Sequence, residues 1–513
     1  MSVEKESDRA QETPVDTERD DRRAVRDSLL VTIGGQIEQV AGTLTAFALR
    51  WMLDPARLGV YSGLRLYLDN TNRSSLGVSL GAAQEIPILL AAGKDDEATR
   101  VANVAYTTNT VTCLIYAVGL VVWSILRTPL LRDDPLAELW TRGLFVVAGL
   151  TLIKRYQDFL IVVLRARREF ALLTRMAVLD SLLGAAGTIG GIAVAGFWGL
   201  LACVGGLLLF NIAYLHYYNS VRFQWRWEWT TIGRLMKVGL PILANTAILG
   251  AAMNLDRVLI LWRVPGGEKA LGLYSIALMG TSWSLDLAGR IVIVMYTYFQ
   301  TTLGRTNDLV ETARQAARAT LAQATPIAAG SAIAYVVGPV FLGLMIPKYA
   351  EGLPALRPLL PGMLLLASAW PARQFLITID RPYRLFAATA LGLAAAWVAG
   401  TIGADRGGIV GVAWGMTIGY SCIYLLTTFT AFAPALSPRG WLELQGRLAA
   451  TTAWYAASAV VAAHVPLGNP PRYLEYALRP AILAIFAGPM LWRWGVRHEW
   501  GGLFRRESRN GKA

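Results

Sequence analysis

The chain holds 513 residues, 54% of them hydrophobic and only 16% charged, with a formal net charge of +13 and a mean hydropathy of +0.43. Soluble domains carry about a quarter charged residues, so this composition excludes an ordinary soluble enzyme or binding module and indicates an integral membrane protein. Cys113, Cys203 and Cys422 all fall in apolar stretches and His216, His464 and His498 are scattered, which leaves no disulfide framework and no local zinc site.

Residues 1–27 mix acids with bases and contain no apolar run, so they read as a disordered cytoplasmic tail rather than a cleaved leader. Beyond them, apolar stretches follow one another with short breaks, each long enough to cross about 30 Å of hydrocarbon. In the first half the spans are Ser28–Leu53, Leu58–Ala83, Val101–Leu126, Ala137–Ile153 (with a continuation to Val163 left open), Ala171–Ala195 and Phe197–Tyr217. The second half gives Val238–Val264, Ala270–Tyr298, Leu321–Ile346, Pro354–Ile377, Leu385–Gly403 and Gly408–Phe432, followed by Arg447–Val465 and Tyr473–Trp492. The expected fold is an all-α integral membrane protein of about 14 transmembrane helices. Its order is a six-helix bundle over 28–220, a cytoplasmic linker over 221–235, a second bundle over 236–433, an appended helix pair over 434–494 and a basic cytoplasmic tail over 495–513.

The two bundles read as copies of one unit. L-G-V-Y-S at Leu58–Ser62 returns as L-G-L-Y-S at Leu271–Ser275, 213 positions on. At the same offset R-R-E-F-A-L-L (Arg167–Leu173) meets D-R-P-Y-R-L-F (Asp380–Phe386), and at 212 G-F-W-G (Gly196–Gly199) meets G-I-V-G (Gly408–Gly411). One register held by three anchors indicates an internal duplication. Each copy has an even number of spans, so the repeats are expected to run parallel. Lys and Arg crowd the loops and tails that share a side with the N-terminus, which puts both termini in the cytoplasm. The positive excess is thereby an orientation signal, and no nucleic-acid partner is expected. Trp225, Trp227 and Trp229 beside Arg222 and Arg226 suit a membrane-interface belt.

Charges inside spans are costly unless they face something polar. The second span carries Arg65, Asp69 and Arg73 spaced by four, with Asn72 beside them, a spacing that sets the charged residues on one helical face. The eighth span carries Asp286 and Arg290, also spaced by four, and Asp286 is the repeat equivalent of Arg73. These six residues are the expected substrate-binding set, lining a hydrated cavity formed by the two repeats; ion pairs that merely join helices are the competing reading. Glu38, Asp256 and Arg257 are expected in coupling or gating, with snorkelling to the interface as the alternative for the adjacent Asp256–Arg257. Glu85 and Asp180 read as structural. Gly266–Lys269 lacks the spacing of a phosphate-cradling loop, and no hydrolase or metalloprotease motif is found, so neither enzyme activity nor a cofactor is expected.

Several of these stretches also carry a family likeness. L-R-W-M-L-D-P-A-R-L-G-V-Y-S (Leu49–Ser62) with S-L-G-V-S-L-G-A-A-Q-E-I-P (Ser75–Pro87) resembles the opening of bacterial polysaccharide flippases of the multidrug/oligosaccharidyl-lipid/polysaccharide (MOP) exporter superfamily. L-M-K-V-G-L-P-I-L (Leu235–Leu243), N-L-D-R-V-L-I (Asn254–Ile260) and A-L-G-L-Y-S-I-A (Ala270–Ala277) resemble that family's second-half opening, and I-P-K-Y (Ile346–Tyr349) its stretch after the ninth span. The chain departs from it in a longer polar N-terminal tail and in having no proline near Tyr298. The resemblance implies movement of an undecaprenyl-pyrophosphate-linked sugar repeat between leaflets of the bacterial cytoplasmic membrane, for exopolysaccharide or O-antigen assembly. Its implied partners are the lipid-linked oligosaccharide, membrane lipids and other polysaccharide assembly proteins. A cation-coupled drug or metabolite antiporter of the same superfamily is the alternative.

Overall fold

The computed structural model describes residues 35, 37–127, 136–167, 169–219, 221–465 and 472–497. The expected tail at 1–27, the opening of the span Ser28–Leu53 and the end of the tail at 495–513 lie outside the described residues. Every regular element among those described is helical. In chain order they are α1 (37–52), α2 (Pro55–Asp69), α3 (Val78–Ala91), α4 (Asp95–Arg127), α5 (Ala137–Ala166), α6 (Phe170–Tyr218) and α7 (Trp229–Arg263). There follow α8 (Gly267–Thr306), α9 (Leu309–Met345), α10 (Leu356–Ser368), α11 (Trp370–Thr378), α12 (Pro382–His464) and α13 (Arg472–Arg497). Among the described residues, six runs are long and apolar enough to cross a membrane: α4, α6, α7, α9, Pro347–Thr378 and α12. The chain is an all-α membrane protein.

Two of those runs hold interior breaks, and the breaks repeat. In α6, Ala195 (φ −132°, ψ 16°) and Gly196 (φ 57°, ψ −131°) leave the helical region; in α12, Gly407 (φ −139°, ψ 16°) and Gly408 (φ 53°, ψ −133°) do the same with nearly identical angles. Those positions are related by the 212-residue offset of G-F-W-G and G-I-V-G. Gly196 and Gly408 take a positive φ that a Cβ would strain, which is why the sequence match centres on glycine. A further break at Ser437 (φ 74°) sets off the last part of α12.

The chain divides into two compact units: the described residues up to Leu53 with Tyr67–Leu243, and Asp54–Leu66 with Ala244 onward. In the first unit an apolar core gathers Val78, Ala82 and Ile86 of α3, Val101–Ala105 of α4, Phe159–Leu164 of α5 and Leu235 of α7. The segment 221–228 has no regular secondary structure, and α4 holds it by side chains. Asn103 Oδ1 accepts from the Gln224 backbone N–H at 2.9 Å and Thr107 Oγ1 from that of Arg226 at 2.9 Å. Phe223 is stacked on Tyr106, with centroids 5.0 Å apart. Glu228, ahead of α7, takes an ion pair from Arg100 at 2.8 Å and another from Arg226 at 2.6 Å. The Arg100 guanidinium is the main reason its carboxyl is held down at about 2. Trp225, Trp227 and Trp229 remain exposed beside this strap.

In the second unit the core joins Leu255 and Leu259 of α7, Leu271 and Tyr274 of α8, Leu356–Met363 of α10 and Met416 and Tyr420 of α12. The repeated phrase meets its own copy here. A Cβ on Gly59 would collide with the Glu268 carbonyl, and one on Gly272 with the Pro55 carbonyl. The two contacts are the same contact shifted by 213 residues, so α2 and α8 cross backbone to backbone about a local two-fold relation. Leu483 and Ala487 of α13 pack with Tyr455, Ala459 and Ala462 of α12 against Ile327 and Ala328 of α9, which seats the C-terminal pair on the second unit.

Candidate functional site

The expected second span is not one helix. After Asp69 the chain tightens into a 3-10 turn, Asn70–Ser75, and then passes Leu76 (φ 50°) and Gly77 (φ 82°) before α3 begins. The composition N-T-N-R-S-S explains the break. Thr71 Oγ1 donates to the Leu68 carbonyl at 2.6 Å, Ser74 Oγ to that of Thr71 at 2.7 Å and Ser75 Oγ to that of Asn72 at 2.9 Å. Such short polar side chains bond the local backbone and compete with continuation of the helix. The expectation that Arg65, Asp69 and Arg73 share one helical face is therefore corrected. Arg65 and Asp69 lie on α2 and are exposed, whereas Arg73 ends the turn and is half-buried.

That break is where the first unit assembles its polar site. α5 runs on to Ala166, so Lys154, Arg155 and Asp158 lie within the helix rather than in a loop. Arg155, 3% exposed, reaches the turn: Nη1 donates to Asn72 Oδ1 at 2.7 Å and Nη2 to Asn109 Oδ1 at 2.8 Å. Asn109 Nδ2 in turn donates to Ser79 Oγ at 2.8 Å. Two neutral carboxamides thus orient the guanidinium without cancelling its charge. Lys154 is offset by Asp158, 3.3 Å away on the next turn. Arg73, next to Asn72, has no hydrogen bond or ion pair among the described residues; Tyr116, whose hydroxyl donates to the Tyr67 carbonyl at 2.8 Å, is its electrostatic neighbour. Where the helix is opened, Arg155 thus holds the exposed Asn72, and Arg73 follows it in the same turn; guanidinium and carboxamide donors are groups that bind oxyanions.

The second unit carries a different set. Asp256 is fully buried, which corrects the snorkelling alternative: it sits among core residues of α7 and accepts from the Arg257 backbone N–H at 2.7 Å. The Arg257 guanidinium turns instead to Asn254 Oδ1 at 2.7 Å. The Tyr274 hydroxyl faces the Asp256 carboxylate, and the buried Tyr420 hydroxyl has no hydrogen-bond partner among the described residues. Asp286 and Arg290 lie exposed on α8, and Glu38 is exposed on α1. Glu85 pairs with Arg234 at 2.6 Å and Asp180 accepts from Asn211 at 2.6 Å, the structural roles expected of them.

Two buried arginines escaped the sequence reading. Arg155 was hidden by a span boundary drawn at Ile153, although the apolar run resumes at once after Asp158 and the Lys154–Asp158 spacing is helical. Arg373, 6% exposed on α11, shares the apolar stretch Pro354–Ile377 with Arg357 near its start and is visible to the same cost argument that singled out Arg73.

The family model described as "Polysaccharide biosynthesis protein" matches residues 88–345, just over half of the chain. No curated protein matches it. Among solved structures, an inward-facing multidrug resistance MATE family transporter of the MOP superfamily superposes with TM-score 0.64 at 16% identity, covering 81% of this chain and 96% of that one. The lipid II flippase MurJ in an inward closed conformation gives TM-score 0.62 at 12% identity over 91% and 99%. A MOP superfamily transporter from Pyrococcus furiosus gives 0.54 at 15% over 83% and 95%. By family model and by fold together, the chain belongs to the polysaccharide biosynthesis proteins, built on the architecture of the MOP-superfamily transporters.

Proposed function

We propose that this protein is a flippase that carries a polyprenyl-pyrophosphate-linked oligosaccharide from the inner to the outer leaflet of the bacterial cytoplasmic membrane, with both termini in the cytoplasm. The observation that carries the reading is the pair Arg73 and Arg155 at the opened helix, neither with a carboxylate partner among the described residues. A pyrophosphate cannot cross a low-dielectric interior without cationic partners, and arginine stays protonated there and can grip phosphate oxygens with two donors. Asn72 supplies a further exposed donor. Arg65, Asp69, Asp286 and Arg290 extend the contact surface for the headgroup, while Glu38, Asp256 and Arg257 would couple transport to ion or proton movement. The family match and the structural likeness to a lipid II flippase both support a lipid-linked substrate.

The buried Asp256 and the likeness to multidrug transporters favour one alternative, a cation-coupled drug or metabolite antiporter. Deletion of the gene separates the two. The flippase reading expects lipid-linked oligosaccharide to accumulate in the inner leaflet with unchanged drug tolerance. Drug sensitivity with normal surface polysaccharide would instead establish the antiporter.

A further inference from the structure

The second unit buries an arginine that nothing neutralises. Arg373 is 6% exposed, and its Cζ lies 5.3 Å from the ring centroid of Trp370, one turn earlier on α11. Its Nε and Nη1 have no hydrogen-bond partner, and neither has Trp370 Nε1. No ion pair engages Arg373 among the described residues. Its helix neighbours Ala372, Phe375 and Leu376 belong to an apolar cluster with Met295, Phe299 and Phe432, so the surroundings offer no solvation. Among the described residues the buried unpartnered acceptors of the facing α9 are Gln315 Oε1, Gln323 Oε1 and Ser331 Oγ, and the Gln323 amide is anchored through Nε2 to the Ala367 carbonyl at 2.6 Å.

A permanently charged group in such a place must find an acceptor in some state of the protein. Three donors on one turn of helix, two of them on the cationic guanidinium and none satisfied among the described residues, select for an oxyanion and against a cation. The fourth span of the first repeat also buries an arginine, Arg155, but there Asn72 and Asn109 accept from both terminal nitrogens and only Nε is left without a partner among the described residues. At Arg373 neither Nε nor Nη1 has an acceptor among the described residues.

We propose that Arg373 and Trp370 form an oxyanion site within the second unit that takes a lipid phosphate or pyrophosphate group. In its pyrophosphate form this inference rests on the flippase reading above; a membrane phospholipid is the other source of the same chemistry. The site is separate from the Arg73–Arg155 cluster of the first unit, and it gives the headgroup a second station whose donors are uncompensated until the anion arrives.

The test uses the full-length protein in a maltoside detergent, with thermal melts in the presence of farnesyl pyrophosphate, farnesol, phosphatidylglycerol or inorganic pyrophosphate. Wild type should gain stability from farnesyl pyrophosphate and none from farnesol. Arg373→Met should match or exceed wild type in Tm without ligand, because an unpaired buried charge is removed, and should weaken the ligand effect on the order of tenfold. Trp370→Phe removes one donor and no charge; it should keep the wild-type Tm and weaken the ligand effect by a smaller factor. An Arg373-dependent shift from phosphatidylglycerol alone assigns the site to a phospholipid. Failure of Arg373→Met to fold, or a lower ligand-free Tm, shows a structurally satisfied arginine and overturns the site. Equal stabilisation of wild type and both variants by farnesyl pyrophosphate overturns the site while leaving the flippase reading intact. No stabilisation of wild type by any phosphate-bearing probe overturns both.

Discussion

At Arg155 two carboxamide oxygens, from Asn72 and Asn109, occupy the positions a carboxylate would take in an ion pair. The guanidinium keeps its charge and its orientation, and Asn72 is fixed beside Arg73. Arg155→Ala strands the buried Asn109 oxygen, at about 1–3 kcal/mol, and releases the exposed Asn72 to solvent, so this variant should lose both Tm and transport. Arg73→Ala breaks no hydrogen bond among the described residues, and should leave stability within about 0.5 kcal/mol of wild type while abolishing transport. A melt and a transport assay on the two variants check the contrast; an equal loss of Tm would place Arg73 in the structural framework. Arg73 and Asn72 were legible in the sequence because charge inside an apolar run is conspicuous. Arg155 was not, since the sequence leaves open whether the span stops at Ile153 or runs on to Val163, and the structure carries α5 through Arg155 to Ala166. Nor does sequence say which acids are paired: Glu85 needed Arg234, 149 positions away, to show its role.

Among the elements, the duplicated glycines show what a repeat can and cannot reveal. The 213-residue register located Gly59 and Gly272 but not that each meets the other's helix. Periodicity places a residue on a face; it does not name the partner of that face. Because the neighbours are backbone carbonyls, Gly59→Val or Gly272→Val should prevent assembly of α2 against α8, read as loss of the monodisperse protein peak. Gly196→Ala and Gly408→Ala require only a strained φ, costing about 1–3 kcal/mol, and should lower Tm without loss of folding. The α2–α3 break was legible in principle from N-T-N-R-S-S, whose side chains bond the backbone, but the surrounding apolar residues concealed it. The strap over α4 yields a pH prediction. Glu228 is held at about 2 against a usual 4.5, so its stabilisation is present above about 4.5 and is lost as pH falls towards 2. The Tm difference between wild type and Glu228→Gln should be full at pH 7 and shrink through that window; a difference that grows on acidification would contradict the clamp.

For the whole molecule, composition indicated a membrane protein and the length of the successive apolar spans an all-α one, while repeated phrases indicated a duplication that agrees with the paired breaks at Gly196 and Gly408 in backbone angles. Topology follows from charge bias: reporters fused after Gly266 and Arg406 should read periplasm and one after Ser437 cytoplasm, whereas a cytoplasmic signal at Gly266 would break the parallel-repeat argument. What the duplication does is settled by transport itself. The decisive measurement is flipping of a pyrophosphate-linked sugar lipid in proteoliposomes by wild type, Arg73→Ala and Arg290→Ala. Wild type should flip it, both alanine variants should lose flipping at near-normal abundance, and lysine at either position should restore it only in part, having charge without the planar fork. Wild-type rates in both alanine variants would contradict the account and return these arginines to a structural role.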